Sequence, residues 1–311
     1  MIEFLEYTLF RVLFLCARAL SFRAAGSIGA FLGLAAFRCT RFRKAVTFDN
    51  LRHAFPDLST RELQGIARGA YRNYGIAIVE MLWATGASED ELRKVVRLRN
   101  PGIVHDALAK GTGVILLGGH FGSWELLVSS VRLLVGVPFT VIIQHQRNAR
   151  IDHLVDRARR RFDNITVPMG PSVREVLKAL RQSRVVAMLG DQSGAKEAIF
   201  VEFFGRPAAT HRGAAAFSLK TLAPILMIFL VRQPDGTYVG EIEPIDHLGV
   251  DGYTEENILE LTRRHTAVLE RYIRRYPEHW LWMHKRWKHT EYYEKHKDRL
   301  AAHAAIGDPG R

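Results

Sequence analysis

The chain contains little cysteine. Cys16 and Cys39 are the only cysteines among its 311 residues, and both lie in an apolar N-terminal stretch. Two cysteines cannot form a disulfide framework, which indicates a protein of a reducing compartment. The sequence also lacks a Cys-x-x-Cys motif and any Cys/His cluster with the spacing of a structural metal site. We therefore expect neither a bound metal ion nor another cofactor.

Long hydrophobic runs are also missing. Residues 4–37 are the most apolar part of the chain, but arginines interrupt them, and the longest charge-free run, Ala24 to Phe37, has 14 residues. A helix needs about 20 apolar residues to span a bilayer. We expect residues 4–37 to form a helical membrane anchor, either lying in the membrane plane or tilted across it with the arginines reaching the surface. A helical hairpin packed on the rest of the protein is the alternative.

Acidic residues are outnumbered by basic ones. The chain has 44 Lys+Arg against 32 Asp+Glu, a net charge of +12, which indicates an anionic partner. Residues 1–44 hold seven basic and two acidic residues among Leu, Phe, Ala and Gly, so a membrane surface is favoured over nucleic acid. The basic cluster that ends this segment favours the cytoplasmic side. Nucleic acid is further disfavoured because no zinc-finger or RNP-like motif is present.

The hydrophobic pattern predicts an α/β protein. Residues 45–99 have helical spacing, whereas from Gly113 onward short apolar runs alternate with helical segments of about ten residues. We therefore predict a mixed, mostly parallel sheet flanked by helices on both faces, with Pro234–Gly236 as a turn between two antiparallel strands. The predicted organisation is an N-terminal membrane anchor (1–44), an α/β domain (45–290) and a C-terminal tail without motifs (291–311).

A histidine lies where a site is expected in such a fold. His120 follows a predicted buried strand (114–117) and two glycines, and a helix is predicted directly after it. Ligands of open α/β sheets bind at the carboxyl ends of strands. Glu125 lies in the first turn of that helix, from where its carboxylate can fold back to the imidazole. This pattern predicts His120 as a general base oriented by Glu125, and a capping or core histidine is the structural alternative.

The His-x4-Glu spacing resembles the His-x4-Asp/Glu motif of glycerolipid acyltransferases. Three other stretches occur in the same order as in a narrower family: Asn50–Pro56 (NLRHAFP), Asp191–Thr210 (DQSG and FFGRPAAT) and Tyr276–Lys288 (YPEHWLWMHKRWK). Over roughly residues 1–290 the chain resembles the lipid A biosynthesis late acyltransferases, the lauroyl/myristoyl transferase family. The resemblance implies an enzyme that transfers acyl groups.

The resemblance also implies substrates and a location. The donor would be an acyl thioester, carried by acyl carrier protein or by coenzyme A, and no further cofactor is needed. The expected acceptor is a hydroxyl of a lipid A precursor at the cytoplasmic face of the inner membrane. Another phosphoglycolipid, such as an inositol mannoside, or a lysophospholipid is the alternative acceptor. A membrane-binding protein without catalysis is a hypothesis of a different class.

Further residues are predicted to bind substrate or to organise the site. In the family, Arg-Pro-x-x-Asn often follows the second strand; here Gln144 replaces that arginine, while Arg147 and Asn148 remain. Arg159 matches a family arginine, and guanidinium groups suit phosphates or an acidic carrier protein. Asp191 follows a predicted strand (185–189) at the same sheet edge as His120. The complete set of predicted substrate-binding residues is Arg147, Asn148, Arg159, Asp191, Gln192 and Arg286, of which Arg286 is expected to pair with a carboxylate.

Overall fold

The computed structural model describes residues 2–170, 173–196 and 198–297. The helices are α1 (Ile2–Arg18), α2 (Phe22–Cys39), α3 (Lys44–Ala54), α4 (Thr60–Ala84), α5 (Glu89–Val95), α6 (Gly102–Leu108), α7 (Trp124–Val135), α8 (Ala149–Arg159), α9 (Val173–Arg181), α10 (Gly213–Thr221) and α11 (Glu255–Arg275). The strands are β1 (Val96–Leu98), β2 (Val114–Gly118), β3 (Phe139–Ile143), β4 (Ile165–Pro168), β5 (Val185–Leu189), β6 (Ile199–Phe203), β7 (Arg206–Thr210), β8 (Ile225–Arg232) and β9 (Tyr238–Pro244). Two short 3₁₀ helices cover Arg161–Asp163 and Pro277–His279.

Seven strands form one sheet, in the order β1-β9-β8-β2-β5-β3-β4. The pairs from β8 to β4 are parallel, and β9 runs antiparallel to β8. All five residues of β2 are buried, as is typical of a strand covered on both faces. The predicted mostly parallel, mixed sheet is therefore confirmed, including the antiparallel pair on either side of Pro234–Gly236.

Helices cover both faces of the sheet. Ile115 and Leu117 of β2 belong to a core that includes side chains of α9, α10 and α11. Val114 and Leu116, which alternate with them, belong to a second core that includes side chains of α5, α6 and α7. Successive side chains of a strand point to opposite faces, so each face has its own helical layer, as predicted.

The N-terminal helices α1 and α2 pack against α4. The buried side of α2 consists of small residues, because a Cβ atom on Gly29 would lie 2.6 Å from the backbone oxygen of Gly75 and one on Gly33 would lie 2.1 Å from that of Tyr71. Three large apolar side chains of α2, Ile28, Phe31 and Leu32, are on its outer side, where Phe31 is 69% exposed. Within the described residues, no helix has the length and hydropathy of a membrane span. The membrane anchor stays a prediction.

Three strands of the structure, β1, β6 and β7, were not predicted from the sequence. Val96–Leu98, within the segment expected to be helical, forms β1 and pairs with β9. Ile199–Phe203 and Arg206–Thr210, which were not predicted as strands, form an antiparallel hairpin outside the main sheet. In the predicted tail (291–311), residues 291–297 are helical. The remainder of that tail, 298–311, lies outside the described residues.

Candidate active site

Two neighbouring parallel strands bring His120 and Asp191 together. His120 follows β2 and Asp191 follows β5, and the backbone N–H of Gly190 donates to the oxygen of Gly118 at 3.0 Å, which extends the pairing beyond the strands. The two residues are 71 positions apart in the chain. The prediction that Asp191 lies at the same sheet edge as His120 is confirmed.

Asp191 is a buried carboxylate that accepts three hydrogen bonds. The backbone N–H and the ring Nδ1 of His120 donate to its two oxygens at 2.9 and 2.8 Å, and Trp280 Nε1 donates at 2.9 Å. Although burial opposes the charged form, His120 and these hydrogen bonds lower the Asp191 pKa to about 2. Against its own desolvation, His120 has a raised pKa, because Asp191 attracts the imidazolium and hydrogen-bonds to it. Asp191 therefore fixes the tautomer in which Nδ1 carries the proton.

The second ring nitrogen of His120 is available for chemistry. Its Nε2 lies 3.3 Å from the side-chain nitrogen of Gln192, which can donate to the unprotonated Nε2. The imidazole is half-buried and packs edge-on against the Trp124 ring, with the ring centroids 5.1 Å apart. Because Nδ1 is occupied by Asp191, Nε2 is the atom that can accept a proton.

The C-terminal signature segment is bound directly to the His120 loop. Leu281 donates its backbone N–H to the oxygen of His120 at 3.1 Å, and Gly122 donates to the oxygen of His279 at 2.9 Å. Gly122 has φ +59°, and a Cβ atom there would lie 2.1 Å from the backbone oxygen of Leu230. A side chain at this position would therefore separate the His120 loop from β8.

The predicted contact of Glu125 with the imidazole of His120 is wrong, whereas a catalytic role of Glu125 stays a prediction. Its carboxylate receives two hydrogen bonds from Arg159, at 2.5 Å from Nη2 and 3.1 Å from Nε. The guanidinium fork offers a fixed geometry that a carboxylate matches with both oxygens, so this partner holds Glu125 toward α8. Glu125 still contributes to the raised pKa of His120 through its charge. The imidazole of His120 is thus oriented by Asp191, with Glu125 as a nearby second anion.

The Glu125–Arg159 ion pair lies at the edge of a small pocket lined mostly by apolar groups. Helices α1, α4, α7 and α8 all contribute to its wall. One guanidinium nitrogen of Arg159, Nη1, is buried and has no hydrogen-bond partner among the described residues. A substrate oxygen would satisfy this donor, and the predicted role of Arg159 in substrate binding stays a prediction. The apolar side chains of the wall are Phe10, Phe14, Met81, Leu82, Val155 and Ala158.

Arg147 and Asn148 lie at the N-terminus of α8. Asn148 caps that helix by accepting from the backbone N–H groups of Arg150 and Ile151. Both Arg147 and Asn148 also contact Glu6 of α1, at 3.5 and 3.4 Å. The cap gives Asn148 a structural role, and substrate binding by the two residues stays a prediction.

Arg286 has no carboxylate partner, so the expected ion pair is wrong. It is fully buried and donates to the backbone oxygen of Ala209 and to Thr210 Oγ1 at 2.5 and 2.6 Å, with its guanidinium over the Phe203 ring. Within the described part of the chain, no carboxylate oxygen lies within 4 Å of it. Burial lowers its pKa to about 10. Arg286 attaches the C-terminal segment to the β6–β7 hairpin.

Trp280, His284 and Asn50 were given no role by the sequence-based reasoning. Trp280 binds Asp191, and His284 Nε2 accepts from the backbone N–H of Ser193 at 3.2 Å. Asn50 donates to the backbone oxygens of Trp282 and His284 at 2.8 and 2.7 Å. All three residues lie in stretches that resemble the family motifs, Asn50–Pro56 and Tyr276–Lys288, and this position in the sequence could have identified them. In the described ranges, no three His, Cys, Asp or Glu side chains are grouped as a metal site requires.

Comparisons with known proteins agree with these motifs. A family model described as bacterial lipid A biosynthesis acyltransferase matches residues 2–289. The lipid A biosynthesis palmitoleoyltransferase of Escherichia coli (strain K12) is 27% identical over 265 residues, which cover 84% of each chain. The lauroyltransferase of the same strain is 24% identical with 84% of each chain covered, and an acyltransferase of Haemophilus influenzae is 26% identical with 79% of this chain and 78% of the relative covered. The protein belongs to the bacterial lipid A biosynthesis acyltransferase family and is an acyltransferase.

Proposed function

We propose that this protein transfers a fatty acyl chain from an acyl thioester to a hydroxyl group of a lipid A precursor. The observation that carries the proposal is the pairing of His120 Nδ1 with the buried carboxylate of Asp191, which leaves Nε2 as the base. The names of the relatives, which are lipid A biosynthesis acyltransferases, support the choice of acceptor.

The reaction needs one proton carrier and no covalent enzyme intermediate. His120 Nε2 takes the proton of the acceptor hydroxyl as its oxygen attacks the thioester carbonyl carbon. The tetrahedral intermediate then collapses, the carbon–sulfur bond breaks, and the imidazolium returns the proton to the departing sulfur. Asp191 stabilises the imidazolium between these two steps, as a buried carboxylate does in a serine hydrolase triad.

The charged groups around His120 have separate roles in this mechanism. Asp191 sets the tautomer, whereas Glu125 supplies a second negative charge that favours the transient imidazolium. Arg159 holds Glu125 and retains Nη1 as a donor for a substrate oxygen. Either this nitrogen or a backbone N–H of the glycine-rich turn would stabilise the oxyanion of the intermediate.

The proposed donor is acyl carrier protein, with coenzyme A as the alternative carrier. Acyl carrier protein is an acidic partner, and the net charge of +12 together with the basic residues of α8 supports it. Turnover of matched acyl-carrier-protein and acyl-coenzyme-A donors distinguishes the two. We expect the higher kcat/KM with the carrier protein, and this preference should weaken as salt is raised because charge attraction is screened.

The proposed location is the cytoplasmic face of the inner membrane, with α1 and α2 lying in the interface. The small-residue side of α2 faces α4, so Ile28, Phe31 and Leu32 are left on the outer side. Arg38, in its last turn, adds positive charge where an anionic lipid surface is expected. Burial of these apolar side chains in the headgroup region would stabilise the attachment without a spanning helix.

A purified-enzyme assay tests the catalytic part of the proposal. His120→Ala should lower the rate of acyl transfer to a lipid A precursor in detergent micelles by about 10²–10⁴-fold, since a general base is lost. The matched control is His145→Ala, which removes an exposed histidine that is likewise bound through Nδ1 to a carboxylate, Asp152. Equal activity of the two variants would refute the assignment of His120 as the base.

A further inference from the structure

A cavity at the C-terminal end of α2 has no part in the site around His120. It measures about 590 Å³, within the usual size range of small-molecule sites, and is lined by residues of α2, α3 and α4. Its apolar wall consists of Leu34, Phe37 and Phe48. Three cations, Arg38, Lys44 and Arg68, complete it together with Gln64.

The cations of this cavity have no acidic partner in the described part of the chain. No carboxylate there lies within 4 Å of the charged groups of Arg38, Lys44 or Arg68, and Lys44 Nζ lies 4.9 Å from the centre of the Phe37 ring. By contrast, Arg159, which lines the pocket near His120, is paired with the carboxylate of Glu125. Three positively charged residues that line one cavity without a counter-charge favour an anionic ligand.

The apolar wall restricts the class of anion. A small hydrated anion would leave Leu34, Phe37 and Phe48 in contact with water, whereas an amphiphile would cover them with its hydrocarbon. Ile28 and Phe31 are exposed on the outer side of α2, and the cavity lies at the C-terminal end of the same helix. An anion that reaches the cavity along this side therefore arrives with an apolar chain attached.

We propose that this cavity binds an anionic phospholipid of the membrane, with the phosphate at Arg38, Lys44 and Arg68 and the first acyl methylenes on the apolar wall. Lysine and arginine donate to phosphate oxygens through charge-assisted hydrogen bonds. The proposal rests on the membrane association proposed above and is independent of the role of His120. The bound lipid is a ligand at a fixed place and not an acyl acceptor.

Vesicle flotation of the full-length protein tests this site. The probes are vesicles of phosphatidylcholine alone and of phosphatidylcholine with 30% phosphatidylglycerol. The variant Arg38→Gln/Lys44→Gln/Arg68→Gln should bind the anionic vesicles about a hundredfold more weakly than wild type, since each basic residue contributes roughly fivefold. The matched control, Arg174→Gln/Lys178→Gln/Arg181→Gln, removes the same charge from exposed positions on α9 and should bind within about threefold of wild type.

A second variant distinguishes lipid binding in the cavity from non-specific attraction between basic residues and anionic lipids. Leu34→Trp adds bulk to the apolar wall without changing the net charge, and should abolish the phosphatidylglycerol that native mass spectrometry detects on wild type. Equal losses in the two triple variants, or retained lipid in Leu34→Trp, would overturn the proposal. Inorganic phosphate that displaces the lipid at an equal concentration and at constant ionic strength would also overturn it, because the apolar wall would then contribute nothing to the affinity.

The active site and the membrane association are tested separately from the cavity. Acyl transfer in detergent micelles should be unchanged in both triple variants, since neither set touches the His120 cluster. Equal flotation of wild type with the two kinds of vesicle would refute the lipid site while leaving membrane association standing. A protein that floats with neither kind would refute membrane association itself.

Discussion

The two carboxylates near His120 differ in what they bind. Asp191 is buried and hydrogen-bonded to the imidazole, so its negative charge is held next to Nδ1 of His120. Glu125 is bound to Arg159 and acts on His120 only through space. The difference predicts that removing each charge changes the titration of His120 to a different extent.

The first prediction concerns the pH dependence of acyl transfer. His120 must be neutral to accept a proton, and its pKa is raised above 6.5, so kcat/KM of wild type should rise with pH through that raised pKa. Asp191→Asn removes the bonded charge, so the rise should move to lower pH while the maximal rate falls by about 10²–10⁴-fold. Glu125→Gln should shift the pH at which kcat/KM rises by a smaller amount. A pH–rate profile in which Glu125→Gln produces the larger shift would contradict the assignment.

The residue-scale features show what sequence reasoning could and could not reach. His120 was predicted because a histidine after a buried strand and glycines is visible in one short segment. Its partner was misassigned to Glu125, five positions away, because the true partner is 71 positions away and is brought close only by the β2–β5 pairing. The bond between Glu125 and Arg159 is hidden for the same reason.

Among the elements, α2 is unusual because its small residues face the protein. Gly29 and Gly33 allow its backbone to approach that of α4 so closely that a methyl group has no space. Close approach of this kind is typical of helices that associate through glycine. Ile28, Phe31 and Leu32 are excluded from this contact and lie on the outer side of the helix.

The second prediction tests this packing. Gly33→Ala should lower the free energy of unfolding by about 1–3 kcal/mol, because its Cβ would lie 2.1 Å from the backbone oxygen of Tyr71. Gly65→Ala is the control, since Gly65 lies in α4 with no neighbour within 4 Å of the added carbon. The free energy of unfolding of Gly65→Ala should rise by up to about 1 kcal/mol, because alanine has the higher helix propensity. Thermal unfolding in detergent measures both, and equal melting temperatures would contradict the described contact.

Strands with a continuous apolar run were predictable, and strands held by side chains were not. β5 has the predicted bounds, 185–189, because all five of its residues are apolar. The hairpin β6–β7 lies outside the main sheet and is held by Arg286 and by Trp287, whose Nε1 donates to Phe203. These contacts join residues more than 70 positions apart, which no local pattern reveals.

Across the whole molecule, the motif blocks form one connected structure. The C-terminal segment binds the His120 loop, Asp191, the β6–β7 hairpin and Asn50 of α3. Through this segment, hydrogen bonds connect Asn50 of α3 with the loop that carries His120. The buried amide of Asn50 is one of the links between the N-terminal helices and this segment.

The third prediction concerns that link. Asn50→Ala removes the side-chain donor to the buried backbone oxygen of Trp282 and one of the two donors to that of His284, so it should cost about 1–3 kcal/mol of unfolding free energy. Asn257→Ala is the matched control, since Asn257 also donates to two backbone oxygens, those of Asp251 and Gly252, but at the surface where water replaces it. Denaturant unfolding of the two variants gives the comparison. A smaller cost for Asn50→Ala would show that the link does not stabilise the molecule.

The most direct measurement is mass spectrometry of the lipids of cells that carry either wild type or His120→Ala. The account predicts that lipid A loses one acyl increment in the variant, while the phospholipid fraction is unchanged and His145→Ala behaves as wild type. This result would establish both the base and the acceptor. Lipid A with the full number of acyl chains in the His120→Ala cells would contradict the account. A change confined to the phospholipids would mean that the acceptor is a phospholipid and not a lipid A precursor.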